Sequence, residues 1–109
     1  MNQWPIGIST GLFYERSFFD CIELIKEYGF DIIEISSSVN HLDYHNTKDI
    51  EKAAGVIQKL QLQPYSFHAP FGKQIDITSP DKTKREQSLS EIEIAIKAAS
   101  ILGVKYFVL

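Results

Sequence analysis

The sequence predicts an α/β fold: a parallel βαβαβαβ chain that forms part of a (βα)8 barrel. Three observations carry this. Strand-like and helix-like segments alternate along the chain in units of about 25 to 40 residues, a rhythm that gives parallel strands joined by right-handed crossovers. Strand side chains sort by parity into one large apolar face and one small or polar face, as a barrel wall requires. The turn after the first strand, Ile8-Ser9-Thr10-Gly11, lacks the glycine-rich phosphate loop that many open-sheet nucleotide enzymes place there.

Each element carries its own signals. Ile6-Gly7-Ile8-Ser9 is a short apolar run closed by Thr10-Gly11, strand one. Ser17 suits a helix N-cap with Asp20 as its partner, and Phe18, Cys21, Ile22, Ile25 and Tyr28 follow at helical spacing as one buried face. Gly29 ends this first helix, because glycine takes a left-handed backbone without a side-chain clash. Phe30 to Ser36 is strand two. A polar stretch then leads to helix two, capped by Asn46 or Thr47, with Ile50, Ala53, Ala54, Ile57 and Leu60 as its apolar stripe. Gln63 to His68 is strand three, which runs into a histidine and breaks at Pro70 and Gly72. Ser79-Pro80-Asp81 offers a cap, a first-turn proline and an early acid for helix three. That helix turns Leu89, Ile92, Ile96, Ala99 and Leu102 inward and stops at Gly103, and Val104 to Leu109 is strand four.

The parity argument separates two architectures. One face carries Gly7, Ser9, Ile32, Glu34, Ser36, Ser66, His68, Tyr106 and Val108; the other carries Ile6, Ile8, Ile33, Ile35, Tyr65, Phe67, Phe107 and Leu109. The second set suits packing under helices. The polar members of the first gather at the C-terminal ends of the strands, where a barrel keeps its site. An open sheet has helices on both faces, so Glu34 and His68 would there need buried partners. The barrel reading is favoured.

Composition sets the outer limits. The 109 residues make one domain, and a 44% hydrophobic, 23% charged composition is that of a folded globular chain. A net charge of −3 argues against a nucleic-acid surface, which wants clustered Lys and Arg. No apolar run approaches the roughly 18 residues that cross a bilayer, and the start of the chain has no signal-peptide pattern. The single cysteine, Cys21, excludes an internal disulfide framework and reads as a buried helix residue. These features predict a cytoplasmic protein with neither a nucleic-acid nor a membrane partner.

Four segments resemble a known family. Ser66-Phe67-His68-Ala69-Pro70-Phe71 is similar to the S-x-H-x-P-[YF] segment of the xylose isomerase-like TIM barrels, which include sugar-phosphate isomerases and epimerases, inosose-type dehydratases and endonuclease IV-type enzymes. Gly29 to Ile35 resembles the family's second strand with its terminal glutamate. Ile75 to Asp81 resembles the loop after its third strand, and Ala98 to Val104 the approach to its fourth. The resemblance implies that residues 1–109 are the N-terminal half of a TIM barrel, strands one to four with three helices, ending in strand four. A whole barrel takes about 250 residues. In the family the fourth strand commonly runs into a histidine, and later strands bring the remaining Glu, Asp and His metal ligands.

The resemblance further implies metal-dependent isomerisation or epimerisation of a sugar or sugar phosphate, with a divalent ion (Mn, Mg, Co or Zn) that this half would not bind alone. No catalytic residue is assigned within these strands, and the half alone is expected to be inactive. Glu34, Ser66 and His68 are the candidate substrate-binding residues. His68 is also the candidate metal ligand, since a neutral imidazole suits a divalent transition metal. Two alternatives stand beside this: an endonuclease IV-like zinc phosphodiesterase, and a non-catalytic half-barrel, which could close as a homo-oligomer. From the residues alone, Glu34 is either a substrate contact or one end of a structural ion pair. His41 and His45 read as solvated loop residues, and Asp76 as a turn residue or a substrate contact. Phe13 and Tyr14 either wall the pocket or staple their loop.

Overall fold

The computed structural model describes residues 4–109. Its strands are β1 (Gly7–Ser9), β2 (Ile32–Ser36), β3 (Gln63–His68) and β4 (Tyr106–Val108). They alternate with helices α1 (Phe18–Glu27), α2 (Thr47–Lys59) and α3 (Lys82–Leu102), and a 3-10 turn, Thr10–Phe13, follows β1. The strands lie in the order β1-β2-β3-β4 and every neighbouring pair is parallel. This is half of a TIM barrel. Among the described residues no helix is long and apolar enough to cross a membrane.

One face of the sheet is sealed by the helices. Ile33, Ile35 and Phe67 are fully buried there, against Phe18, Ile22 and Ile25 of α1, Ile50, Ala53 and Ile57 of α2, and Ala95, Ala99 and Leu102 of α3. A large side chain of this kind contributes roughly 1.5–3 kcal/mol when taken fully out of water. The opposite face is lined by Ser9, Glu34, Ser36, Ser66 and His68, the polar set that parity predicts.

All three helices end in one device. The amide of Phe30 donates to Ile25 O and that of Gly29 to Lys26 O; Leu62 to Ile57 O and Gln61 to Gln58 O repeat the pair, as do Val104 to Ala99 O and Gly103 to Ser100 O. This double closure needs a left-handed residue after each helix, supplied by Gly29 at φ 92°, Gln61 at 55° and Gly103 at 75°. The helix-to-strand connections are therefore short and alike. The strand-to-helix connections, which border the polar ends of the strands, are long and all different.

Four details depart from the sequence expectation. Tyr28, expected on the buried face of α1, is exposed beside the turn that ends the helix. The N-cap of α3 is Asp81, whose carboxylate accepts from the Thr83 amide, so Ser79 and Pro80 stay outside the helix. On α3 the buried face is Ser88, Ala95, Ala98, Ala99 and Leu102, and Leu89 and Ile96 are half-exposed, because the small residues let the helix approach closely. Finally, the pairing of β2 with β3 slips between Ile33 and Glu34, which takes Tyr65 away from the helix-covered face. It is exposed, edge-on to Tyr106 at 5.2 Å.

Candidate functional site

A cavity of about 560 Å³ opens at the C-terminal ends of β1, β2 and β3. Its polar corner is set by register: Ser9 pairs with Glu34 and Glu34 with Ser66, while Ser36 pairs with His68 one step further up. The residues between them point the other way into the helix-covered core. The strands thus bring the three predicted residues, Glu34, Ser66 and His68, together.

Hydrogen bonds define what each can offer. The buried Ser66 hydroxyl donates to Glu34 Oε2 at 2.7 Å. Its other carboxylate oxygen, Oε1, is left to receive a donor from the cavity. His68 Nδ1 lies 2.8 Å from Ala69 O, and since a carbonyl only accepts, Nδ1 carries the proton. Nε2 of the neutral ring then keeps its lone pair, able to accept from a hydroxyl or to hold a cation. Phe71 stands beside that ring with centroids 5.0 Å apart. No ion pair to Glu34 occurs among the described residues, so the ion-pair alternative gives way to a hydroxyl partner.

The rest of the wall comes from loops that strand parity cannot read. Ser37, Ser38, Val39 and Tyr44 from the β2–α2 connection close one side, and Tyr14, Pro70, Phe71 and Ile75 bring apolar surface. Tyr14 lines the cavity, whereas Phe13 packs on the core. Thr10 is buried and its hydroxyl accepts from the Ser36 amide at 3.0 Å, fastening the turn after β1 to the end of β2.

Of the two loop histidines, His45 is exposed as the sequence suggests, whereas His41 is buried, which corrects the expectation for that residue. His41 is 3% exposed; its Nδ1–H donates to Arg16 O at 2.7 Å, and its ring meets Phe18 edge-on. Its Nε2 is buried without a partner among the described residues. His45 is bound on both sides, with Nδ1 at 2.7 Å from Asp43 Oδ1 and Nε2 at 2.6 Å from Glu91 Oε2. Tyr44 donates its hydroxyl to the same Glu91 oxygen at 2.6 Å. Burial and that carboxylate push the Tyr44 phenol well above its ordinary value, and the hydrogen bonds that Glu91 accepts from Tyr44 and His45 hold its carboxyl below its own. Asp76 is a turn residue: it accepts from the Thr78 hydroxyl and amide, which lower its carboxyl. Cys21 is buried in α1, and burial raises its thiol.

His68 Nε2 is one credible metal donor. Among the described residues no three His, Cys, Asp or Glu side chains gather around a common point that would hold a metal ion. These residues do not by themselves compose a metal centre.

Residues 22–109 match the model of the xylose isomerase-like TIM barrel family. The chain belongs to that family. Solved structures agree on the fold of this xylose isomerase-like barrel segment. It is similar to a D-psicose 3-epimerase crystallised in the presence of D-fructose, with a TM-score of 0.78 at 16% identity over 93% of this chain and 35% of that one. It is similar also to a D-tagatose 3-epimerase-like protein, with a TM-score of 0.81 at 24% identity over 97% of this chain and 37% of the other. The chain spans little more than a third of the length of either. No curated protein matches it.

Proposed function

We propose that this chain forms the sugar-recognition corner of an isomerase or epimerase. The observation that carries the reading is that Glu34 and His68, at the adjoining ends of β2 and β3, face a 560 Å³ cavity, with Glu34 held by the Ser66 hydroxyl. A carboxylate oxygen with its second oxygen tied to a serine, beside an imidazole with a free lone pair, accepts hydrogen bonds from vicinal hydroxyls. Serine hydroxyls add donors, and the apolar side formed by Tyr14 and Phe71 suits the C–H face of a sugar. The wall is rich in hydroxyls and bears a carboxylate, which favours a neutral sugar over a sugar phosphate at this end of the cavity. Similarity to a D-psicose 3-epimerase and a D-tagatose 3-epimerase-like protein supports a ketose as the substrate class.

In such chemistry a carboxylate shifts a proton between adjacent carbons. Glu34, held by Ser66, orients hydroxyls rather than moving that proton. A divalent ion (Mn, Mg, Co or Zn) is the cofactor expected of the whole barrel, and His68 Nε2 is the donor this chain would contribute. The 109-residue chain alone is expected to show no turnover with Mn or Mg added, and detectable epimerisation would overturn that.

Amide NMR of the protein titrated with D-fructose, D-psicose, D-tagatose and a ketose phosphate tests the binding. At least one free sugar should shift the amides of Glu34, Ser66 and His68. Glu34→Gln and His68→Ala should each weaken that sugar by about tenfold, the scale of a lost hydrogen bond to a charged or buried group. Absence of those shifts for every sugar, or equal binding in both variants, would sink the reading.

A further inference from the structure

We propose that His45 is a pH-sensitive latch: as an imidazolium it ties the loop that walls the cavity to α3, and on losing a proton it lets that loop go. The inference goes beyond the sugar reading, because it concerns the loop and holds for any occupant of the cavity.

The geometry demands the charged form. Both ring nitrogens of His45 lie against carboxylate oxygens, Asp43 Oδ1 at 2.7 Å and Glu91 Oε2 at 2.6 Å. A carboxylate only accepts, so both nitrogens must carry protons, which only the imidazolium provides. A neutral ring would set a lone pair against one of the two carboxylates. That contact turns repulsive, and the longer-range partner, Glu91 on α3, is the one free to move away. Asp43 stays near in any case, since its carboxylate also accepts from the His45 amide at 3.0 Å.

The latch reaches the cavity through Tyr44. Its ring lies 4.1 Å from that of His45, and its hydroxyl shares the Glu91 oxygen. Tyr44 is buried and lines the cavity with Ser37, Ser38 and Val39 of the same loop. The groups facing His45 are Asp43 and Tyr44 on its own loop and Glu91 on α3, and no Lys or Arg pairs with either carboxylate among the described residues. The direction of titration agrees. Burial alone would lower the His45 ring, but the hydrogen bonds and charges of Asp43 and Glu91 outweigh it and raise it above the usual 6.5. A raised folded value means the contribution is complete below the unfolded value of about 6.5 and is lost as pH rises above it, through the raised folded value.

The test needs no ligand, so it fails or succeeds separately from the sugar reading. The His45 ring and the amides of Ser37, Ser38 and Val39 are followed by NMR from pH 5.5 to 9. We expect His45 to titrate above the ordinary histidine value, with the three amides sharing its midpoint. Hydrogen exchange in the loop, corrected for intrinsic pH dependence, should rise about fivefold across that step, as loss of a half-exposed ion pair allows. His45→Gln should abolish the shared step, and Glu91→Gln should lower the His45 midpoint. Titration at or below the ordinary value would overturn the latch. So would loop amides that ignore His45, or that titrate unchanged in His45→Gln.

Discussion

Ser66 and Glu34 show how a single pair can serve both stability and a site. The serine is buried, and its hydroxyl is the hydrogen-bond partner that keeps a half-buried carboxylate satisfied. Ser66→Ala should destabilise the fold by about 1–2 kcal/mol in chemical denaturation, because the carboxylate loses a charge-assisted bond. In a Glu34→Gln background the same change should cost about half as much, and strictly additive costs would mean the bond contributes nothing. His41 makes a second case. His41→Leu removes the donor to Arg16 O but also the partnerless Nε2, whereas His41→Ala leaves a cavity against Phe18 and should cost about 2–3 kcal/mol. Leu should therefore be the milder variant by thermal unfolding, and the reverse order would contradict this account. Glu34, Ser66 and His68 were legible in the sequence because a strand alternates strictly, so their shared face follows from counting. The burial of His41 and the carboxylate partners of His45 were not, because both depend on how an irregular ten-residue loop folds back on Arg16 and Glu91, which no periodicity encodes.

The three helix ends give the clearest comparison between elements. The same pair of bonds closes α1, α2 and α3, yet the left-handed residue is glycine twice and glutamine once. A side chain at φ 55° carries a steric cost of roughly 1 kcal/mol that glycine avoids, partly offset by glycine's greater freedom in the unfolded chain. Gln61→Gly should thus stabilise the protein by about 0.5 kcal/mol, read as a higher denaturation midpoint at unchanged slope; a lower midpoint would show that Gln61 is held without strain. Gly29→Ala and Gly103→Ala should each lower it. The glycines marked two of these ends in the sequence, and Gln61 hid the third, although the hydrophobic stripe of α2 still bounded it. The buried face of α3 is hidden from the sequence for a different reason. Its apolar residues form two stripes, one bulky through Leu89 and Ile96 and one small through Ala95, Ala98 and Ala99, and periodicity alone favours the bulkier. Packing chose the smaller, where backbone can come close to its neighbours.

At the scale of the molecule the consequence of half a barrel is an uncovered sheet. The radius of gyration is 14.6 Å, against about 13 Å for a compact chain of this length, and the extents of 50 × 31 × 23 Å describe a slab. Both flanks carry exposed apolar side chains: Trp4, Ile6 and Leu12 beside β1, and Leu89, Ile96, Val108 and Leu109 on α3 and β4. Among the described residues β1 and β4 each have a single strand neighbour, and their outer edges offer backbone groups that invite pairing with another chain. A twofold axis along the barrel direction would set β4 of one copy beside β1 of another, parallel as in the rest of the sheet, and eight strands would close the wall. Sedimentation equilibrium of the 109-residue chain should accordingly show concentration-dependent self-association, favouring a dimer. Leu109→Lys adds a charge just after β4, at a residue that is 77% exposed, and should weaken association by about tenfold without lowering the unfolding temperature. A clean monomer at all concentrations would remove the dimer, and association insensitive to Leu109→Lys would move the interface away from the β4 edge.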